Sequence, residues 1–260
     1  MRSKEESECL LTIKAVLFDM GGTLNNADVE HPGEVLQRIL ASFGISKSLH
    51  EIKMAWSKAE KEAENTSLLS LFGKLQPEEY WYKWNSLALK HLGIEENAEL
   101  VKTVHSKWLD FIDFTLYPES KKVLEELRKR GLKLGLISTA YEEEIRFVLE
   151  KVNLETAIFD IIVGVDTAEC MKPHPDIFKY ALRKLKIRPE EAIFVGDSVE
   201  ADYNGAENAG LHALLIDRKE KPIIYGNEKN ALLLQQGELR TIKNLKEILS
   251  FLNVKMLVHR

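Results

Sequence analysis

The sequence predicts an α/β protein built on a doubly wound parallel sheet, with a small all-helical insertion near its start. Three observations predict it. A short apolar run, "KAVLF", stops on Asp19 and is followed almost at once by two glycines, as a buried strand that delivers an acid into a tight loop would be. After Pro118, helical and strand-like segments alternate to the end of the chain, the rhythm of a parallel sheet covered on both faces. Between these two regions apolar residues recur only at helical spacing, and all four tryptophans lie there. The reading assigns residues 1–25 and 115–260 to the α/β unit and 26–114 to the helical insertion.

Taken in order, residues 13–19 read as the first strand. Val35, Ile39 and Phe43 form a helical stripe that Gly44 can stop, and Ile52, Trp56, Ala59 and Ala63 form a second. Pro77 can open a third helix carrying Tyr80, Trp81, Trp84 and Leu87, which Gly93 can close; Leu100, Val104 and Trp108 mark a fourth. The tryptophans are expected to form the core of this helical unit. Then come helix "ESKKVLEELRKRG" and strand "LKLGLIS", helix "EEEIRFVLEKV" and strand "FDIIVG", helix "DIFKYALRKLKI" and strand "AIFVG", and helix "EADYNGAENAG" and strand "HALLI". The last amphipathic piece, "NLKEILSFL", is expected to cover a sheet edge, and residues 217–241 show no period. The basic cluster Arg128–Arg130 sits at a helix C-terminus, where the dipole favours it.

Composition narrows the function classes. The 260 residues carry 45% hydrophobic and 30% charged residues, an ordinary globular balance, and a net charge of -5, which offers nucleic acid or an anionic membrane no attraction. Seven histidines and two cysteines are too scattered for a zinc cluster, and Cys9 and Cys170 do not form a disulfide framework, so a cytoplasmic location is expected. The first apolar run is too short and too charged for a signal peptide or a membrane span.

Open parallel sheets bind ligands outside the carboxyl ends of their strands. The first strand delivers Asp19 there, the strand at 132–138 delivers Ser138 followed by Thr139, the loop after 158–163 holds Lys172, and the strand at 192–196 delivers Asp197, with Asp202 five residues on. Asp19 and Asp197 can share a hard divalent cation such as magnesium, which favours carboxylates, water and phosphate oxygens. Lys172 and Ser138 can hold the remaining oxygens of a phosphoryl group, joined by backbone N–H groups after Asp19, because Gly21 and Gly22 permit close approach. Asp19 is then a nucleophile candidate, and Lys172 is expected to lower its pKa.

"FDMGGTL", "LIST", "KPHPDIF" and "VGDSVEADYNGAENAG" occur in the order and spacing of the four motifs of the haloacid dehalogenase (HAD) superfamily, which the chain resembles from about residue 13 to 250. The resemblance implies a Rossmann-like core with a mobile helical cap, and in most members a magnesium-dependent phosphatase. It implies Asp19 as nucleophile and metal ligand, the backbone carbonyl of Gly21 and the carboxylate of Asp197 as further ligands, and Asp202 supporting the metal directly or through water. It implies Ser138 and Lys172 as phosphoryl binders, Lys172 also as a catalytic residue beside Asp19, and Thr23 as a shaper of the loop, with Gly22, Thr23 and Thr139 beside the substrate; relatives often carry asparagine at the position of Thr139.

The departure is Gly21. Most phosphatases of the superfamily have a second aspartate there, which protonates the leaving group and later activates water, work worth ~10²–10⁴-fold in rate. The expected function is a magnesium-dependent phosphatase for a small phosphorylated metabolite, acting through an aspartyl-phosphate, either on good leaving groups or with an acid from the cap entrance, where Asp28, Glu30 and His31 stand. The alternatives are a phosphonate-cleaving hydrolase, which needs a desolvated cap lysine among Lys47, Lys53, Lys58, Lys74 and Lys83; a metal-free dehalogenase, against which Asp197 and Asp202 argue; and a catalytically weakened phosphometabolite binder. Neither nucleic acid nor a membrane is expected as a partner, and the sequence assigns no oligomeric state. Cys170 and His174 read as structural, and Glu142–Glu144 as the acidic first turn of a helix.

Overall fold

The structure, a computed structural model, describes residues 12–29, 31–95, 97–218, 237 and 239–252. Its centre is a six-stranded, all-parallel sheet made of β1 (Ala15–Phe18), β4 (Lys133–Ile137), β5 (Ile161–Val163), β6 (Ala192–Gly196), β7 (His212–Ile216) and β8 (Thr241–Ile242). The strand order is β5-β4-β1-β6-β7-β8. The chain runs outward from β1 through β4 to β5, then returns to the other flank of β1 at β6. The order reverses there, and such a reversal opens a crevice at the strands' C-terminal ends.

Strand alternation divides the interior into two cores. Val16 and Phe18 of β1 face one way, into a cluster with Val123 and Leu127 of α5 (Ser120–Lys129) and Ile145 and Leu149 of α6 (Glu142–Lys151). Ala15 and Leu17 face the other way, into Ile177, Phe178 and Ala181 of α8 (Pro175–Leu185). All four residues of β1 are buried, so the sheet is covered on both faces as its continuous apolar strands require.

A second, antiparallel ribbon pairs β2 (Asn25–Ala27) with β3 (Phe114–Leu116). No sign of it is legible in the sequence, because strands of three polar or mixed residues are too short for a readable alternation. Between its two strands lie α1 (Pro32–Ser42), α2 (Leu49–Asn65), α3 (Pro77–His91) and α4 (Ala98–Lys107), one for each helical stripe in the sequence. Their starts follow local chemistry. His31 Nδ1 accepts the Gly33 N–H, Ser48 and Glu51 form a reciprocal capping box, Pro77 begins α3, and the Asn97 side chain accepts the Glu99 N–H. Trp84 is buried within this unit, whereas Trp56, Trp81 and Trp108 are only half-buried and line cavities. The expectation that all four tryptophans are core therefore holds fully for Trp84 alone.

Two further elements differ from the sequence reading. "EADYNGAENAG" is not a plain α-helix: Val199–Asn204 is π-helical and only α9 (Gly205–Asn208) is α. The Ser198 hydroxyl accepts the Ala201 N–H, and the Asp202 carboxylate turns back to the Ser198 N–H, which widens the turn. The C-terminal piece, α10 (Glu247–Phe251), puts Ile248 into the first of the two cores rather than over an edge. A short α7 (Val165–Ala168) follows β5. Among the described residues no helix is long and apolar enough to cross a membrane.

Candidate active site

The crevice beside β1 collects the acids. Asp19 follows β1 directly, Asp197 follows β6, and Asp202 reaches in from the π-helical turn. One carboxylate oxygen from each lies within 4.8 Å of the others. Lys172, from the loop after α7, stands among them, its Nζ 2.6 Å from Asp19 Oδ1 and 2.6 Å from Asp202 Oδ1. Lys172 is 5 % exposed, Asp19 7 % and Asp202 2 %. The second oxygen of Asp202 accepts the Ser198 N–H at 2.9 Å, so both of its oxygens have protein partners. That geometry makes Asp202 first of all the group that holds Lys172 in place.

Electrostatics corrects one expectation. Burial alone would depress the Lys172 ammonium, but Asp19 and Asp202 outweigh it and hold the lysine above its ordinary range. For Asp19, burial comes first and raises the pKa; Lys172 lowers it and Asp202 raises it, and the net direction is upward, not downward as the lysine alone would dictate. Asp197 also moves upward, by burial and then by Asp19 and Asp202. Three acids face one lysine, and desolvation makes the surplus negative charge costly.

Glycines make the convergence possible. Gly22 has φ +79, and a Cβ there would sit 2.0 Å from Asp197 Oδ2. A Cβ on Gly196 would sit 2.3 Å from Asp202 Cγ. At Gly21 the case is different: a Cβ would meet nothing within 4 Å, and its φ is not in the left-handed region. Neither space nor backbone demands glycine at position 21.

The loop after Asp19 folds on itself. The Gly22 N–H donates to the Asn25 carbonyl at 2.8 Å, and the Thr23 and Leu24 N–H groups donate to Met20 at 3.3 and 2.9 Å. Of the backbone N–H groups after Asp19 that were expected to meet a phosphate, those of Gly22 and Thr23 are thus spent on loop shape. The Gly21 N–H bonds no described residue. From behind, Arg218 donates to the Gly22 carbonyl (3.2 Å) and the Thr23 carbonyl (2.5 Å), while its third arm reaches Glu119 at 2.9 Å. Its guanidinium lies 3.3 Å from the Tyr117 ring centroid. Arg218 went unnoticed in the sequence, because it opens the aperiodic 217–241 stretch.

Ser138 is buried at the end of β4; its N–H donates to the Val163 carbonyl, and its hydroxyl bonds no described residue. Thr139 is exposed beside it. Of the three suggested acids, Asp28 is committed elsewhere. It accepts from Arg38 and from the Asp113 N–H at 2.8 Å each, and against its own desolvation these bonds keep its carboxyl below the usual range. His31 Nδ1 is occupied as the α1 cap, and Glu30 lies outside the described residues. Lys53, Lys58, Lys74 and Lys83 are exposed and Lys47 is half-buried, so none has the desolvated setting that a Schiff-base lysine requires. His174 caps α8, and Cys170 packs at the edge of a core; Cys9 lies outside the described residues.

A parallel sheet whose reversal point gathers three acids, a buried lysine and an unspent serine defines an α/β hydrolase of the kind that works on phosphate esters. The comparisons agree. Residues 13–210 match the haloacid dehalogenase-like hydrolases, and the chain belongs to that family. It is 30% identical over 215 residues to a glyceraldehyde 3-phosphate phosphatase of Methanopyrus kandleri, covering 79% of this chain and 84% of that one. It is 28% identical over 211 residues to the pyrophosphatase PpaX of Bacillus mycoides, again over 79% and 84%. Among solved structures, a HAD phosphatase from Thermococcus onnurineus superposes with a TM-score of 0.56 at 25% identity, covering 95% of this chain and 100% of that chain.

Proposed function

We propose that this protein is a magnesium-dependent phosphatase that removes the phosphoryl group of a small phosphorylated metabolite through an aspartyl-phosphate on Asp19. The observation that carries the reading is the Lys172 bridge between Asp19 and Asp202 beside Asp197, at the reversal point of the sheet. The phosphatase names of two relatives support the substrate class.

The donor set fits a hard divalent cation: it is all oxygen, it is compact, and it has more negative charge than Lys172 balances. Asp19, Asp197 and the Gly21 carbonyl would hold the ion, with Asp202 next to them. When bound, it supplies charge neutralisation for the phosphoryl oxygens.

The rest of the work falls to the chain. Lys172 fixes the Asp19 carboxylate by one oxygen and presents its ammonium to the phosphoryl group, and the unspent Ser138 hydroxyl takes another oxygen by hydrogen bond. An Asp19 oxygen attacks phosphorus as the bond to the leaving oxygen breaks. Water then attacks the phosphoryl-aspartate, releasing phosphate and restoring the carboxylate. With glycine at position 21, neither proton transfer has a carboxylate in its usual place, so among esters that bind alike the rate rises with the acidity of the leaving alcohol. The helical insertion acts as a cap that excludes water and chooses the substrate.

A panel of phosphate esters, with and without magnesium, tests this. Turnover that needs the metal and vanishes in Asp19→Asn is the expected result. Binding of the panel without turnover would replace the reading with that of a phosphometabolite binder.

A further inference from the structure

The insertion meets the α/β unit through aromatic side chains. Trp56 of α2, Trp81 of α3 and Trp108 at the end of α4 line two adjoining cavities. One is an open cleft of about 310 Å³ that His31 also borders. The other is a niche of about 20 Å³ that ends on Asn85, His105 and Glu144. A cavity that holds a single water has roughly 10–15 Å³ of such free space. The niche therefore takes one compact terminal group and has no room for a ring.

Its polar groups define what that terminal group is. The Glu144 carboxylate accepts the Trp81 indole N–H at 2.8 Å and the Tyr141 N–H at 3.0 Å, both neutral donors. No lysine or arginine pairs with Glu144 among the described residues, and none lines either cavity. Burial, and then the nearby Glu143 and Asp166, push its pKa up to about 7. Asn85 is 4 % exposed, and its amide makes no hydrogen bond to a described residue. Burial lowers the pKa of His105, and the charged groups that act on it are Glu143 and Glu78. Among the described residues, the carboxylates that face the niche or act on its groups, Glu144, Glu143, Glu78 and Asp166, thus meet no lysine or arginine there. Indole walls, a desolvated carboxylate lacking a cation and a spare amide form a receptor for a positive group and repel an anion.

We propose that this niche binds an ammonium group of the substrate, so that the phosphorylated compound is the ester of a small amino alcohol whose carbon chain lies in the tryptophan cleft. Glu144 stands six residues beyond Ser138, in the first turn of α6, which leaves the same sheet edge as Asp19. The substrate half of the proposal rests on the phosphatase reading; ammonium binding does not.

Two measurements separate the two halves, both at pH 8, where Glu144 is ionised and an alkylamine is still protonated. First, wild-type protein is titrated with propylammonium and with 1-propanol, its neutral counterpart of equal heavy-atom count, and tryptophan fluorescence is followed. At least about tenfold tighter binding of the cation is expected, with the preference lost in Glu144→Gln. Equal response to the two probes overturns the proposal, leaving Glu144 as a clasp between insertion and core. Second, ω-aminoalkyl phosphates of two to five carbons are compared with alkyl phosphates of matching heavy-atom count. The best amino ester should exceed its counterpart in kcat/KM by at least about tenfold, and Glu144→Gln should bring that ratio towards one. Turnover of both series at equal rates overturns the amino-alcohol assignment while sparing the phosphatase reading. No turnover of either series, with an acidic aryl phosphate still hydrolysed, overturns the amino-alcohol assignment and spares the phosphatase reading; no turnover of any of these esters removes both, and the fluorescence titration then decides ammonium binding by itself.

Discussion

Gly21→Asp is the substitution that most directly tests how the site works. A side chain at this position meets open space, since nothing lies within 4 Å of the Cβ, and the backbone is not left-handed, so no strain is expected. Replacing glycine also removes freedom from the unfolded chain, a stabilisation of roughly 0.4–1 kcal/mol that the added negative charge offsets. The new carboxylate joins Asp19, Asp197 and Asp202 with only Lys172 as counter-charge. Its pKa is therefore expected to rise, which suits an acid that must give up a proton near neutrality. General acid–base help is worth ~10²–10⁴-fold, about 3–5 kcal/mol of barrier at 1.36 kcal/mol per decade. A loop that evolved without the group should reach the lower end, about a hundredfold. The gain should be confined to alkyl phosphates, whose leaving oxygen needs a proton, and should be only a few-fold for an acidic aryl phosphate. The assay is kcat/KM for both ester types in wild type, Gly21→Ala and Gly21→Asp, with metal binding measured on each. A folded, metal-binding Gly21→Asp with an unchanged alkyl-to-aryl ratio would refute the reasoning, and an equal gain in Gly21→Ala would trace the effect to loop conformation instead.

Three other substitutions probe what surrounds that loop. Gly22→Ala should cost about 1–2 kcal/mol from its positive φ and weaken divalent-metal binding, because its Cβ overlaps Asp197; calorimetric titration showing wild-type affinity would contradict this. Lys172→Met leaves Asp19 and Asp202 unpaired in the interior and should destabilise the fold by about 3–5 kcal/mol in chemical denaturation at neutral pH, so a loss under 1 kcal/mol would mean the bridge is dispensable. Glu144→Gln should change how stability depends on pH. A carboxyl raised from 4.5 to about 7 destabilises the folded state as pH climbs from its unfolded value through 7, and the penalty is complete above that. Wild type should lose about 1–3 kcal/mol relative to the variant between pH 5 and pH 8, and parallel urea-denaturation profiles would show that the carboxyl is not perturbed.

Asp19, Ser138 and Asp197 were legible in the sequence because each sits just beyond a strand end, and a strand is readable from a few apolar residues in a row; Asp202 follows Asp197 by five residues, and Lys172 lies in the loop beyond α7. Knowing that parallel strands end on one edge then brings distant residues together without coordinates. What failed to show depends on direction rather than order. The acidic first turn Glu142–Glu144 reads as helix-dipole chemistry, and only the docking of α3 against α6 shows Glu144 meeting the Trp81 indole. The fall in Asp19 pKa expected from Lys172 reverses because burial, which a sequence does not record, outweighs one counter-charge. Arg218 escaped notice because an arginine in an aperiodic stretch reads as solvated surface. Its role is set by the Gly22 and Thr23 carbonyls, nearly 200 residues earlier in the chain.

Arg218 and the glycines together explain why the missing carboxylate is a matter of chemistry and not of architecture. Gly22 and Gly196 are forced, since any side chain would displace Asp197 or Asp202. The loop between Met20 and Asn25 is closed by its own hydrogen bonds and held from behind by a buried guanidinium stacked on Tyr117. Everything that shapes the loop is in place, and the one position with room for a side chain lacks it. If the loop had lost its function, the buried Lys172 pair and the close contact at Gly22 would be the first features free to drift, because each is costly to maintain. Arg218→Lys tests that argument: lysine keeps the charge but lacks the fork that grips two carbonyls and Glu119 at once. A shaping role predicts a fall in kcat of about tenfold or more with KM little changed, because the loop would no longer hold Asp19 in its attacking position. A fall in thermal stability with kcat intact would instead show that Arg218 serves only the fold.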